Sequence, residues 1–238
     1  MKKTYTMFCG LLLLIPLLCG LGHTSESGII WKGSGKVPYV ALTFDDGPKP
    51  EFSEKILDIL SKAGVKSTFF IVGKEAKEYP DVILRMSQER HDIGNHTFSH
   101  LRVSGLSSKA IAEELRSANQ VVYEITGSFP KFFRPPGGSN GPLVSAEVKK
   151  KNMRIINWSV NAGDYVEDSD IFELDENFDE SAIKLKEKIL AQAHNGAIIL
   201  FHNGSQQTIR ALPEIIVELR NKGFGFATVS ELLAMGNK

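Results

Sequence analysis

The chain has 238 residues, with 28 Lys and Arg balanced by 28 Asp and Glu, and 42% of it is hydrophobic. That length suits one large β/α domain or two small ones, and the composition excludes a disordered chain. A net charge of zero gives no reason to expect nucleic acid or a polycation as partner, while a neutral glycan remains compatible.

The N-terminus is set apart from the rest. Lys2 and Lys3 precede an apolar run from about Met7 to Leu21, and polar residues follow from His23. This is the layout of an export signal, so residues 1–22 are expected to be a signal peptide or an N-terminal anchor. Pro16 and the short run argue against a stable span, which needs about 20 apolar residues. The expected location is secreted or attached to the cell envelope, with membrane contact only through this segment. Both cysteines, Cys9 and Cys19, lie inside it. Leu18 is too bulky for the usual lipidation pattern at Cys19. The remaining chain has no thiolate to offer as nucleophile or metal ligand, and no disulfide. Residues 23–36 read as a linker or strap, and 37–238 as one domain that is expected to act as a monomer.

A strand–helix rhythm then begins. Val37–Phe44 reads as a buried strand, and Glu51–Ala63 as a helix with Phe52, Ile56, Leu57 and Leu60 on one face. Gly64 stops that helix. Lys66–Val72 is the next strand, and Lys74–Gln88 is helical with a break at Pro80. A short strand at His91–Gly94 precedes a long helix at Ser107–Thr126. Lys131–Phe133, Arg154–Val160, Ala197–Phe201 and Phe224–Thr228 are the later strands. Helices are expected at Val144–Lys151, Ser181–His194 and Thr208–Lys222. A capping box, Thr228 to Glu231, opens the last helix. The acidic stretch Glu167–Glu180 reads as a solvated loop. About seven strands alternating with helices predict a parallel sheet.

The unusual polar residues all follow strands: Asp45 and Asp46, His96 and His100, Arg134, Asp164, and His202. In a parallel barrel every strand C-terminus opens on one face, so five segments deliver acids, imidazoles and a guanidinium to one rim. His96 and His100, four apart, share a side on a helical turn. Two histidines and a carboxylate from another strand suit a divalent metal with open positions. The adjacent acids Asp45 and Asp46 then divide their work. One can ligate the cation, and its neighbour can take a proton from an attacking water. Gly137 has a free N–H in a fixed loop, where it can serve a developing oxyanion. His202 follows an apolar strand and suits a general acid.

These residues resemble a polysaccharide deacetylase of the NodB-homology group, carbohydrate esterase family 4. Thr43-Phe44-Asp45-Asp46-Gly47, His96-Thr97-Phe98-Ser99-His100, Arg134-Pro135-Pro136-Gly137-Gly138 and Leu200-Phe201-His202 match the first, second, third and fifth motifs. Asn161-Ala162-Gly163-Asp164-Tyr165 stands for the fourth, usually D-x-x-D-W. The resemblance implies a distorted (β/α) barrel with fewer than eight complete units. It implies Asp45 as general base, with Arg134 orienting it. Asp46, His96 and His100 become the ligands of a divalent metal, commonly zinc, with cobalt or manganese accepted in some members. Gly137 supplies the oxyanion N–H, Asp164 pairs with the acid His202, and Leu200 and Tyr165 line the acetyl pocket.

The implied activity is removal of acetyl groups from an N-acetylated glycan, peptidoglycan first and chitin-type oligomers next. An O-acetyl esterase acting on xylan and a non-catalytic glycan-binding homologue are the alternatives. Asn161 and Tyr165 depart from the fourth motif, which bears on substrate preference. The intact remainder argues against an inactive homologue.

Overall fold

The computed structural model describes residues 28–165 and 178–236. The export segment, Cys9, Cys19, His23 and most of the acidic stretch lie outside the described residues. The elements are β1 (Ile29–Ile30), β2 (Tyr39–Gly47), α1 (Pro50–Ala63), β3 (Thr68–Ile71), α2 (Gly73–Glu78), α3 (Pro80–Gln88), β4 (Asp92–Asn95) and α4 (Ser108–Thr126). They continue with β5 (Phe132–Phe133), α5 (Pro142–Lys150), β6 (Arg154–Ile156), β7 (Val160–Asn161), α6 (Phe178–Gln192), β8 (Ile198–His202), α7 (Gln206–Asn221), β9 (Gly225–Phe226) and α8 (Val229–Met235). The strands form one sheet in the order β1-β6-β5-β4-β3-β2-β8-β7, with β9 paired to β2. All these ladders are parallel. The sheet curls into the expected distorted barrel with helices packed around it.

Strand alternation divides the side chains between two faces. Leu42, Phe44, Phe69, Ile71, Ile199 and Phe201 pack outward against helical residues such as Ile56, Leu60, Ile189, Leu212 and Ile215. The rings of Phe69 and Phe201 stack on Phe44 at 5.1 and 5.4 Å. Each such side chain contributes about 1.5–3 kcal/mol on burial. The opposite parity gives Ala41, Phe70, Phe132, Ile156 and Ile198, which cluster with Val229 and Leu232. α8 thus plugs the N-terminal end of the barrel. Its capping box is present, and the Val229 and Ser230 amides donate to Thr68 Oγ1 and Asp92 Oδ2. Gly94 is required on this inner face, because a Cβ there would come within 2.5 Å of the Phe70 ring.

Two expectations change. The single strand predicted at Arg154–Val160 is two strands at opposite ends of the sheet: β6 pairs with β1 and β5, and β7 pairs with β8. The carbonyls of Ile156 and Asn157 accept from the Arg134 guanidinium at 3.1 Å each, so a side chain takes acceptors that a neighbouring strand would use. The segment read as a linker or strap also contributes to the sheet. Ile29 and Ile30 pair with β6, and Lys32 bridges to Ala197 beside β8. These additions raise about seven expected strands to nine among the described residues.

Candidate active site

The inner-face parity that builds the plugged end also builds the other end. Asp45 lies two residues past Thr43, His96 two past Gly94, Arg134 two past Phe132, and His202 two past Leu200. Asp45 and His202 are register partners across β2 and β8. Alternation therefore aims all four side chains into the mouth of the barrel.

Asp46, His96 and His100 form one cluster whose candidate ligand atoms all lie within 4.8 Å of one another. Asp46 Oδ1 is 3.2 Å from His96 Nε2 and 3.0 Å from His100 Nε2. His96 Nδ1 is 2.7 Å from the Arg134 carbonyl oxygen, which can only accept, so Nδ1 carries a proton and Nε2 is the nitrogen turned to Asp46. Burial would raise the Asp46 carboxyl, but hydrogen bonds with His100 and His96 outweigh it and hold it far below the usual carboxylate range. An ionised carboxylate and a tautomer-fixed imidazole are the donor set a divalent cation requires, so these residues fit one.

The helical turn expected between the two histidines is absent. Residues 96–100 form a loop in which Thr97 and His100 have left-handed φ of 68° and 59°. The loop is shaped by its surroundings. Asn95 Oδ1 accepts from the Thr97 amide, and Glu114 of α4 accepts from the amides of Phe98 and Ser99 and from the Ser99 hydroxyl. The amides of Gly73 and Lys74 donate to the Thr97 and Phe98 carbonyls.

Asp45 points elsewhere. Its Oδ1 accepts from Arg134 Nη1 at 2.7 Å, while Oδ2 is 3.9 Å from His96 Nε2. Arg134 is completely buried. It donates also to Thr43 Oγ1, Ile156 O and Asn157 O, and its Cζ lies 4.1 Å over the Phe70 ring. Every face of this guanidinium is used.

On the third side, His202 Nδ1 is 2.8 Å from Asp164 Oδ1, and the His202 amide donates to Asp164 Oδ2. Thr208 donates its hydroxyl to the same Oδ2. Burial lowers the His202 pKa, but the Asp164 carboxylate outweighs it and the net shift is upward. Tyr165 is exposed and meets His202 edge-on, with ring centroids 5.1 Å apart. Leu200 is buried and registers with Thr43 and Asn161. Gly137 sits in a turn at Pro136–Gly138 with φ 69°, and Gly138 lets Trp158 pack close, since a Cβ there would meet that ring at 2.6 Å.

The sequence model of the family described as polysaccharide deacetylase matches residues 32–156. The chain belongs to that family. Among its relatives, this deacetylase-family chain is 34% identical to the peptidoglycan-N-acetylmuramic acid deacetylase PdaA of Bacillus subtilis, over 84% of this chain and 73% of that one. The solved structure of the Bc1960 peptidoglycan N-acetylglucosamine deacetylase superposes with a TM-score of 0.78 at 30% identity, covering 89% of this chain and 98% of that one. Wild-type BA3943, a CE4 family pseudoenzyme from Bacillus anthracis, superposes with a TM-score of 0.76 at 28% identity, covering 86% and 68%.

Of the residues singled out from the family motifs, the structure joins Asp45 to Arg134, Asp46 to His96 and His100, and Asp164 and Tyr165 to His202, while Leu200 lies on β8 beside Thr43 and Gly137 in the turn near Arg102. It also adds residues that sequence reading missed. Thr208 steadies Asp164, and Asn203 donates its amide to the Asp45 carbonyl at 2.7 Å while its side chain bonds Ser53 of α1. The Ser53 hydroxyl in turn accepts from the Lys49 amide. Asn203 carried a sequence signal, because it directly follows His202. Thr208 and Ser53 carried none, being ordinary polar residues near helix starts.

Proposed function

We propose that this protein is an exported, metal-dependent hydrolase that removes acetyl groups from an N-acetylated glycan of the cell wall, peptidoglycan first. The observation that carries the reading is the separation of the two adjacent carboxylates, Asp46 towards two imidazoles and Asp45 towards Arg134. The names of the relatives, deacetylases of peptidoglycan N-acetylmuramic acid and N-acetylglucosamine, support the substrate class. Residues 37–238 would be the catalytic domain, delivered by residues 1–22 acting as signal peptide or anchor, and acting as a monomer.

Asp46, His96 and His100 would hold the divalent cation, with zinc the expected ion and cobalt or manganese substitutes. When bound, it supplies Lewis-acid polarisation of the acetyl carbonyl and a water of lowered pKa. Asp45, held by Arg134, takes the proton from the attacking water. The Gly137 N–H donates to the developing oxyanion. His202, whose pKa the Asp164 carboxylate raises, gives a proton to the leaving amine, and Leu200 and Tyr165 bound the space for the methyl group.

The pH dependence follows from the His202 pair. A general acid must be protonated, so activity falls as pH rises through the raised pKa of His202. Asp164→Asn removes the carboxylate that raises it. The alkaline limb of kcat/KM should therefore move to lower pH, while the acid limb stays in place. A pH–rate profile of the two proteins checks this, and an unmoved alkaline limb contradicts the assignment.

An amine is a poorer leaving group than an alcohol, and the Asp164–Thr208 support behind His202 favours the amide substrate over an O-acetyl ester. Acetate release is measured in parallel on peptidoglycan fragments, N-acetylglucosamine oligomers and acetylated xylan. The proposal expects release from the N-acetylated glycans; release from xylan alone would replace it with the esterase reading.

A further inference from the structure

The names of the relatives divide between two sugars, N-acetylmuramic acid and N-acetylglucosamine. Chemically the first is the second with a lactyl group ether-linked through the hydroxyl oxygen of the ring carbon next to the one that bears the acetamido group. That lactyl group ends in a carboxylate when it is not amidated. An active site that prefers the first sugar needs a cation that is free to meet this group.

Arg102 meets that requirement. It follows His100 by two residues, which keeps its Cα within about 7 Å of that of a proposed cation ligand. Its exposed side chain lies over the Gly137 turn: a Cβ built on Gly137 would be 3.8 Å from Arg102 Nε and 3.9 Å from Cζ. The next residue, Val103, is buried with Ile111, Leu115 and Phe133, which fixes where Arg102 leaves the surface. Leu101 on its other side is exposed at the same rim.

Every carboxylate of the site is already engaged: Asp45 with Arg134, Asp46 with His96 and His100, Asp164 with His202 and Thr208. Among the described residues no carboxylate lies within 4.0 Å of Arg102. The guanidinium fork is therefore presented beside the proposed oxyanion donor with no carboxylate partner among the described residues. A planar fork is suited to bidentate capture of a carboxylate.

We infer that Arg102 is a specificity residue that recognises a free carboxylate on the substituent next to the acetamido group, so that the preferred substrate is an N-acetylmuramic-acid residue with an unamidated lactyl group. The inference rests on the proposed deacetylase function. An acetamido group placed between the Asp46–His96–His100 cluster and Gly137 carries the oxygen on the neighbouring ring carbon to within a few bonds of that point. Arg102 covers the Gly137 side. An amidated lactyl group or a bare hydroxyl offers the guanidinium no negative charge.

The test measures kcat/KM for acetate release with wild type, Arg102→Gln and Arg102→Lys. The substrates are a muramic-acid glycan with free lactyl carboxylates, the same glycan after carboxyl amidation, and N-acetylglucosamine oligomers. Wild type should prefer the free-carboxylate glycan over its amidated form by about tenfold, chiefly through KM. Arg102→Gln should erase that preference and leave the neutral oligomers within about twofold, with Arg102→Lys in between. The inference is overturned if wild type shows no preference, if Arg102→Gln keeps it, or if the variant lowers all three substrates in parallel. Release from no glycan at all would overturn the proposed function as well, and so separates the two failures.

Discussion

Asp45→Asn should lower acetate release by about 10²–10⁴-fold while the chain stays folded and keeps its cation. The amide has nearly the shape of the carboxylate and still offers an oxygen to Arg134 Nη1, whose other donors retain Thr43 Oγ1, Ile156 O and Asn157 O. What disappears is the basicity needed to take a proton from water. The loss should fall on kcat, because Asp45 engages Arg134 and lies 3.9 Å from the nearest imidazole nitrogen rather than within the tightest ligand cluster. Steady-state kinetics on an N-acetylated glycan checks it. A variant retaining more than a tenth of wild-type turnover would remove Asp45 from the role of base.

The second large effect is on stability. Arg134→Ala should lower the unfolding free energy by about 3–5 kcal/mol, because it leaves the Asp45 carboxylate buried without its counter-charge. It also orphans the Ile156 and Asn157 carbonyls, which sit where β6 ends and the chain crosses towards β7. A side chain that is completely buried beneath Phe70 and Trp158 would leave a cavity as well. For a domain of this size the midpoint of thermal unfolding should fall by roughly 10 °C. Arg134→Lys should recover only part of the loss, since one ammonium cannot reach four acceptors in a plane. Thermal unfolding followed by circular dichroism reads the difference, and a midpoint within about 2 °C of wild type would contradict the argument.

The chemistry of this chain is easier to read from its sequence than the geometry that supports it. Asp45, His96, Arg134 and His202 are polar residues at or just past the C-terminal ends of strands, and a parallel sheet gathers such ends on one rim. Their shared inner-face parity was also latent in the sequence, two residues past Thr43, Gly94, Phe132 and Leu200. The break between β6 and β7 was not legible. Ile155, Ile156, Trp158 and Val160 look like one apolar strand, and only the Arg134 side chain, brought from another segment, claims the carbonyls that separate them. The loop from His96 to His100 misled for a related reason. Spacing by four suggests a helical turn, but Asn95 and Glu114 satisfy the loop amides and hold Thr97 and His100 in left-handed conformations. Two histidines four apart can share a cation without a helix when side chains replace the helical hydrogen bonds.

The adjacent acids remain the centre of the account. Two carboxylates in sequence repel unless each finds its own positive partner, and the positive φ of 69° at Asp46 turns the pair apart. Asp46 then faces two imidazoles, and Asp45 faces a buried guanidinium. The most direct test is the divalent-metal content per chain of wild type, Asp45→Asn and Asp46→Ala, after equal loading with zinc and exhaustive dialysis. The account predicts one ion per chain in wild type and in Asp45→Asn, and none in Asp46→Ala. An Asp46→Ala protein that keeps its ion, or an Asp45→Asn protein that loses it, would contradict the division of labour between the two carboxylates.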